Sequence, residues 1–305
     1  MSLRHIDEKN YNTVHSVIPE VFYRGSTHAK NRFLLRECRN DGAVWLPCQN
    51  SGSSWVIRKM FKISSLVLMV SLLFSSWNVV AVEPDWTAYQ TVLNHLKVAN
   101  KNAVTLMLVD YQAIKNNGSL DKAYQELSTY KLEKLSGHKE KLAFYINAYN
   151  ILALKMVVDH WPTESIKDSG SFFSPVWNKG AGTLDGKSVS LAEVEHEILR
   201  PMGEPRIHFA IVCASVSCPD LRNEPYTARL LNQQLDDQVM SFLNNQGKGL
   251  KIEKKVIRIS KIFDWFEEDF QTDGGVSAFV KHYRIDLPEL DIKSNLPYDW
   301  AVNGV

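Results

Sequence analysis

Leu142-Ala143-Phe144-Tyr145-Ile146-Asn147-Ala148-Tyr149-Asn150-Ile151-Leu152-Ala153-Leu154-Lys155-Met156-Val157 is the stretch that decides the fold. Its apolar residues leave almost no polar face, and a helix apolar nearly all round belongs at the centre of a domain. The spacing predicts one long buried helix over Lys139–His160, stopped by Pro162. Asn147 and Asn150 sit within that apolar surface, one helical turn apart. A buried amide left unpaired costs about 1–3 kcal/mol, so both must be hydrogen-bonded. Either they hold the backbone of a neighbouring loop, or they orient a histidine or bind a substrate carbonyl.

Working outward, Trp86–Val98 reads as an amphipathic helix, and Val104–Tyr111 as a strand or the start of a helix. Leu120–Tyr130 reads as a helix with Ser119 or Asp121 near its cap. Asp185-Gly186 marks a hairpin within Thr183–Ser190. Ser190 followed by Glu193 forms a capping box for a helix through Leu199. Ile207–Val212 is short, apolar and partly β-branched, and it reads as a buried strand ending at a turn. Pro225 is expected to open a helix through Leu243. Leu250–Ile259 alternates as a hairpin turning at Lys254-Lys255, and Asp264–Phe270 and Val276–His282 read as short helices. Tyr298-Asp299-Trp300 is apolar enough to pack back on the body. With no linker or repeat after Pro84, the expected architecture for 84–305 is a single α+β domain, predominantly helical, with a few short strands and hairpins.

The 305 residues carry 35 Lys and Arg against 34 Asp and Glu, a balance that offers no nucleic-acid footprint. Met60–Ala81 has the form of a secretory signal peptide: Lys59 and Lys62 flank its start, an apolar and serine stretch follows, and small residues close it. The alternative is an uncleaved signal anchor over 61–82, which would be the chain's membrane contact. Both place the rest of the chain outside the cytoplasm, in the periplasm or secreted. Residues 1–59 show no periodicity and read as unstructured, or as a gene-model extension upstream of a true start at Met60. Cys38 and Cys48 lie in that extension, which leaves Cys213 and Cys218 in the exported part and in an oxidising compartment.

Those two cysteines follow the Ile207 run in Cys213-Ala214-Ser215-Val216-Ser217-Cys218-Pro219. Four readings stand. Cys213 is a nucleophile activated by His196 or His208. The pair is a disulfide. The two cysteines and two histidines bind zinc, although the spacing matches no familiar zinc pattern. Or both are small buried hydrophobes. Glu195, His196 and Glu197 share the Ser190 helix, so that a glutamate can orient His196 through its far ring nitrogen, or all three form a solvated face.

Three segments together carry a resemblance: Ala143–Asn150, Glu195–Arg200 and His208–Pro219, with Tyr298–Asn303 also fitting. On them the chain resembles the domain-of-unknown-function 547 family, from roughly Trp86 to the end. Plant members of similar type keep the Cys213 position and carry serine at that of Cys218. The resemblance therefore points to Cys213, with His196 and Asn147, as the functional core, and it implies no established reaction. The expectation that results is a thiol-based hydrolase or acyltransferase. In it Cys213 attacks, His196 is the base, Glu195 orients it, and Asn147 or Asn150 positions or stabilises the oxyanion. Asn150, His208 and Ser217 contact the substrate, a small molecule or peptide. No cofactor is expected unless zinc is bound. The competing expectation is a non-catalytic envelope binding module with a structural Cys213–Cys218 disulfide.

Overall fold

The computed structural model describes residues 84–169 and 176–305. The expected signal segment and the residues before it lie outside the described residues. The described elements belong to one compact unit, Ala81–Val305.

The long helix spans His138–Asp159 and is the axis of the fold. It is preceded by α1 (Thr87–Leu93), the hairpin β1–β2 (Leu96–Lys101, Val104–Val109), α2 (Tyr111–Asn117) and α3 (Ser119–Thr129), which makes the long helix α4. The Glu140 carboxylate closes its first turn, accepting from Ser136 N and Gly137 N at 3.0 Å each. Ile146, Ile151, Leu152 and Val157 have no exposed surface, and α1–α3 pack around them in one apolar core. Among the described residues α4 is the one helix long and apolar enough to cross a bilayer, and its apolar surface is buried in protein.

After α4 come the hairpin β3–β4 (Gly180–Leu184, Lys187–Ser190) and α5 (Leu231–Asn244). β5 (Leu250–Glu253) and β6 (Val256–Ser260) form an antiparallel pair. The short α6 (Ile262–Trp265), α7 (Gly275–Tyr283) and a last strand, β7 (Asp291–Leu296), complete the order. β7 lies parallel to β6. A second core fills this half: Phe209 is fully buried, with ring centroids 5.4 Å from both Phe242 and Phe263 and 5.8 Å from Phe279. The predominantly helical α+β class is thus the observed one.

Four local expectations change. The helix expected over Trp86–Val98 stops at Leu93, because the chain from Leu96 pairs with β2 through a tight turn at Asn102 and Ala103, both at positive φ. The Ser190 box forms as expected, with Ser190 N on Glu193 Oε2 at 2.7 Å and Glu193 N on Ser190 Oγ at 3.1 Å. The helix it opens is wound as a π-helix over Glu193–Leu199, however, with Arg200 N donating to Glu195 O. The Pro225 helix begins only at Leu231, because side-chain amides hold the backbone ahead of it: Asn147 brackets Tyr226, and Gln234 Oε1 accepts from Thr227 N.

The Ile207 run is not a strand. Pro205–Phe209 is a 3-10 helix, and the chain continues as buried irregular backbone. A buried backbone must be paired somewhere. Here side chains do the pairing: Asn150 donates to Ala210 O at 3.0 Å and accepts from Val212 N at 2.9 Å, and Gln238 donates to Phe209 O at 3.2 Å.

Candidate functional site

The Asn150 clamp delivers the chain to Cys213 at the boundary between the two cores. The next residue, Ala214, stands at φ +60°. A residue with a Cβ pays about 1–2 kcal/mol in that left-handed region. The strained turn reverses the chain, and the run from Ala214 to Ser217 then meets the C-terminal segment. Asn303 N donates to Ala214 O at 3.0 Å, Val216 N to Ala301 O at 2.8 Å, and Ser217 N to Asp299 O at 3.2 Å. Ser215 bridges Val302 antiparallel. This pairing lays the Tyr298 hydroxyl 3.3 Å from Cys213 Sγ and 3.0 Å from Ser215 Oγ. Ser215 Oγ itself is 3.2 Å from Cys213 Sγ.

Cys218 returns to the same point. Its N–H donates to Ser215 O at 3.1 Å, and its sulfur lies 3.0 Å from Cys213 Sγ and accepts from Cys213 N at 2.9 Å. Both are free thiols, Cys213 partly exposed and Cys218 buried. Lys248, almost wholly buried, donates from Nζ to Cys218 O at 2.8 Å and pairs with Asp220 at 2.7 Å. Hydrogen bonding from the Cys218 thiol, reinforced by the Ser215 and Tyr298 hydroxyls, pulls the Cys213 thiol down to about 6 against the cost of burial. Burial pushes Cys218 and Tyr298 the other way, and a negative Cys213 beside them adds to it. The cluster thus separates one acidic, reachable thiol from one basic, enclosed thiol.

The π-helix supplies the next group. On it Glu195 is buried while His196, adjacent in sequence, is exposed. Glu195 is buried and accepts from the Tyr149 hydroxyl of α4 at 3.2 Å. Burial, and then the negative charge on Cys213, raise its carboxyl to about 7. π-turns inserted in helices recur at functional sites, and this one places a carboxylic acid that changes charge near neutrality. His196 is exposed, its Nδ1 3.3 Å from Arg200 Nη1 and its ring centroid 6.3 Å from that of Phe266.

His208 is held in a separate arrangement. Its Nε2 is 2.7 Å from Asp269 Oδ2, and its ring stacks on Phe266 at 4.0 Å. Arg200 grips the same carboxylate with two bonds, at 2.7 and 2.9 Å. Burial holds the imidazole below its ordinary value despite Asp269. Burial acts to raise Asp269, yet His208 and Arg200 together hold it far below the usual carboxylate range.

The other residues singled out in the sequence sit in the backbone scaffold. Asn147 donates to Tyr226 O at 2.8 Å and accepts from Tyr226 N at 2.9 Å, so both ends of its amide are used on one loop. Asn150 does the same for the segment before Cys213. Ser217 Oγ accepts from Asp299 N at 2.8 Å and so anchors the C-terminal segment. Among the described residues no three His, Cys, Asp or Glu side chains are grouped to hold a metal ion, so the two histidines are not gathered with the two cysteines into a zinc set.

Sequence reasoning missed Ser215, Tyr298, Tyr149 and Lys248 as parts of the site. Tyr298 carried a signal, standing in a C-terminal apolar cluster that had to pack on something. The contact of Tyr149 with Glu195 was hidden by the uniform apolarity of α4.

Residues 132–243 match the model of a family described as a protein of unknown function, DUF547. No curated protein and no solved structure matches the chain. The match is narrower than the expected span from Trp86 onward. It covers α4, Glu195, Cys213 and Cys218, and leaves Lys248, Asp269 and Tyr298 outside. In the part of the chain that holds both thiols and the buried glutamate, this protein resembles the DUF547 family.

Proposed function

We propose that the described unit carries a cysteine nucleophile whose reaction class is acyl transfer, the hydrolysis or transfer of an amide or ester. The observation that carries this reading is the environment of Cys213. The residue is partly exposed, and its sulfur is met by the Cys218 thiol and by two hydroxyls, within 3.0 to 3.3 Å. Hydrogen bonds to a thiolate favour the charged, nucleophilic form at neutral pH. In this reading Cys213 attacks the acyl carbon. Glu195, whose carboxyl burial raises to about 7, exchanges a proton near neutrality, and Asn147 and Asn150 act by fixing the loops. The substrate is a small molecule or peptide acyl group. Export through the 60–81 segment, as a cleaved signal or an anchor, is part of the same proposal.

The test uses p-nitrophenyl acetate as the probe, with peptide mass mapping of the protein. The expected result is an acetyl group on Cys213 that turns over, and its loss in Cys213→Ser. Acetylation confined to lysines and unchanged by Cys213→Ser overturns the reading.

A further inference from the structure

Acyl transfer needs one thiol, and the site holds two in contact. Cys218 is poorly suited to serve substrate directly: it is buried, and its sulfur is met by Cys213 N at 2.9 Å and Cys213 Sγ at 3.0 Å. Three features fit it to act on Cys213 instead. The Sγ–Sγ separation of 3.0 Å lies about 1 Å beyond a covalent S–S bond, so closure needs a side-chain adjustment and not a refolded loop. The Cys213 N–H is directed at Cys218 Sγ, where it stabilises negative charge as that sulfur ionises. The Lys248 ammonium, buried and paired with Asp220, donates to the Cys218 carbonyl at 2.8 Å and fixes the backbone that carries the resolving sulfur.

We propose that Cys213 and Cys218 form a thiol–disulfide exchange pair that reduces a small-molecule or peptide disulfide, with Cys213 as the attacking and Cys218 as the resolving sulfur. The proposal rests on the reading of Cys213 as a nucleophile and adds a second activity to it. In the first step the Cys213 thiolate attacks one sulfur of the substrate R–S–S–R′. A Cys213–S–S–R bond forms, the substrate S–S bond breaks, and R′–S⁻ leaves and takes a proton from solvent. In the second step Cys218 gives up its proton and attacks Cys213 Sγ. The Cys213–Cys218 bond forms and R–S⁻ leaves, taking up that proton. The protein loses two electrons and the substrate disulfide gains two. The division of labour follows the relative exposure of the two residues, Cys213 being partly exposed and Cys218 buried against it.

The experiment equilibrates the reduced full chain with glutathione and glutathione disulfide at graded ratios. The reaction is quenched in acid, free thiols are alkylated, and the bonds are located by peptide mass mapping, which separates Cys213 and Cys218 from Cys38 and Cys48. The expected result for the natural sequence is a Cys213–Cys218 disulfide with little glutathione attached. Cys218→Ser is expected to accumulate glutathione on Cys213 at least about tenfold above the natural sequence, because the resolving step is gone. Cys213→Ser is expected to take up none at Cys218. Absence of the internal disulfide at every ratio, including glutathione disulfide alone, overturns the exchange pair. If Cys213 then still alkylates fast, the nucleophile reading survives. If Cys213 alkylates no faster than Cys38 and Cys48 and takes no glutathione in Cys218→Ser, both readings fall. Should the variants fail to fold, the curve for the natural sequence decides alone.

Discussion

Glu195→Gln separates the electrostatics of the site from its packing. In the folded protein the Glu195 carboxyl moves from its ordinary 4.5 to about 7, chiefly because burial disfavours its charge. That displacement corresponds to about 3 kcal/mol between the two protonation states. A carboxyl raised on folding contributes stability that is fully present below about pH 4.5 and is lost as the pH rises through about 7. Glutamine keeps an oxygen to accept from Tyr149 and never ionises. The variant is therefore expected to match the natural protein near pH 4.5 and to exceed it by about 3 kcal/mol at pH 8.5. Urea unfolding at a series of pH values reads the difference directly, since a common m-value converts midpoint shifts to free energy. A stability difference that does not change between pH 4.5 and 8.5 refutes the account of Glu195 as a buried acid titrating near neutrality. A natural protein that gains stability relative to the variant on the alkaline side would reverse its sign.

The rate of Cys213 alkylation by iodoacetamide is expected to be half-maximal near pH 6, and Tyr298→Phe should move that midpoint upward; a midpoint near that of a free thiol denies the activation of Cys213. Asn150→Ala strands Ala210 O and Val212 N in the core and should cost roughly 2–6 kcal/mol in urea unfolding. Asp269 is held low in the folded state, so its stabilisation is present above pH 3.8 and lost as the pH falls through the depressed folded value; Asp269→Asn should flatten the acid limb of the stability profile. Gly304→Ala would set a Cβ 2.5 Å from Tyr111 Cδ2 and is expected to cost about 1–3 kcal/mol and to raise the Cys213 alkylation midpoint, as the tail that carries Tyr298 loosens.

How much of this was legible in the sequence depended on whether a residue's partner was near in the chain. α4 was readable because burial on all sides leaves a compositional trace. The Ser190–Glu193 box and the Asp185-Gly186 turn were readable because the residues they join, Ser190 with Glu193 and Leu184 with Lys187, are three apart. The β1–β2 hairpin was hidden by its turn: Asn102-Ala103 adopts positive φ at both positions without the glycine that usually announces it. The Ile207 run was misread because apolarity reports burial and not the partner that pairs the backbone. Here that partner is a side chain 60 residues earlier. At the site, Cys213, Cys218 and Glu195 stood out by chemistry, and the two asparagines were visible as buried amides. That Glu195 is buried while its neighbour His196 is exposed was not legible, because a π-helix has no signature in residue type. Tyr298 required the tertiary fold.

That last dependence has a consequence in time. Tyr298 lies 85 residues beyond Cys213 in the chain. At about 5–20 residues per second, a ribosome adds Tyr298 roughly 4–17 s after Cys213. Throughout that interval Cys213 lacks the tyrosine hydroxyl and the strand-like pairing that holds it in place. A nascent chain, or one cut short before Tyr298, carries a thiol without the full set of partners that acidifies it. Full reactivity is therefore withheld until Tyr298 has left the ribosome and docked, and released full-length chains should differ in thiol labelling at neutral pH from released chains truncated before Tyr298.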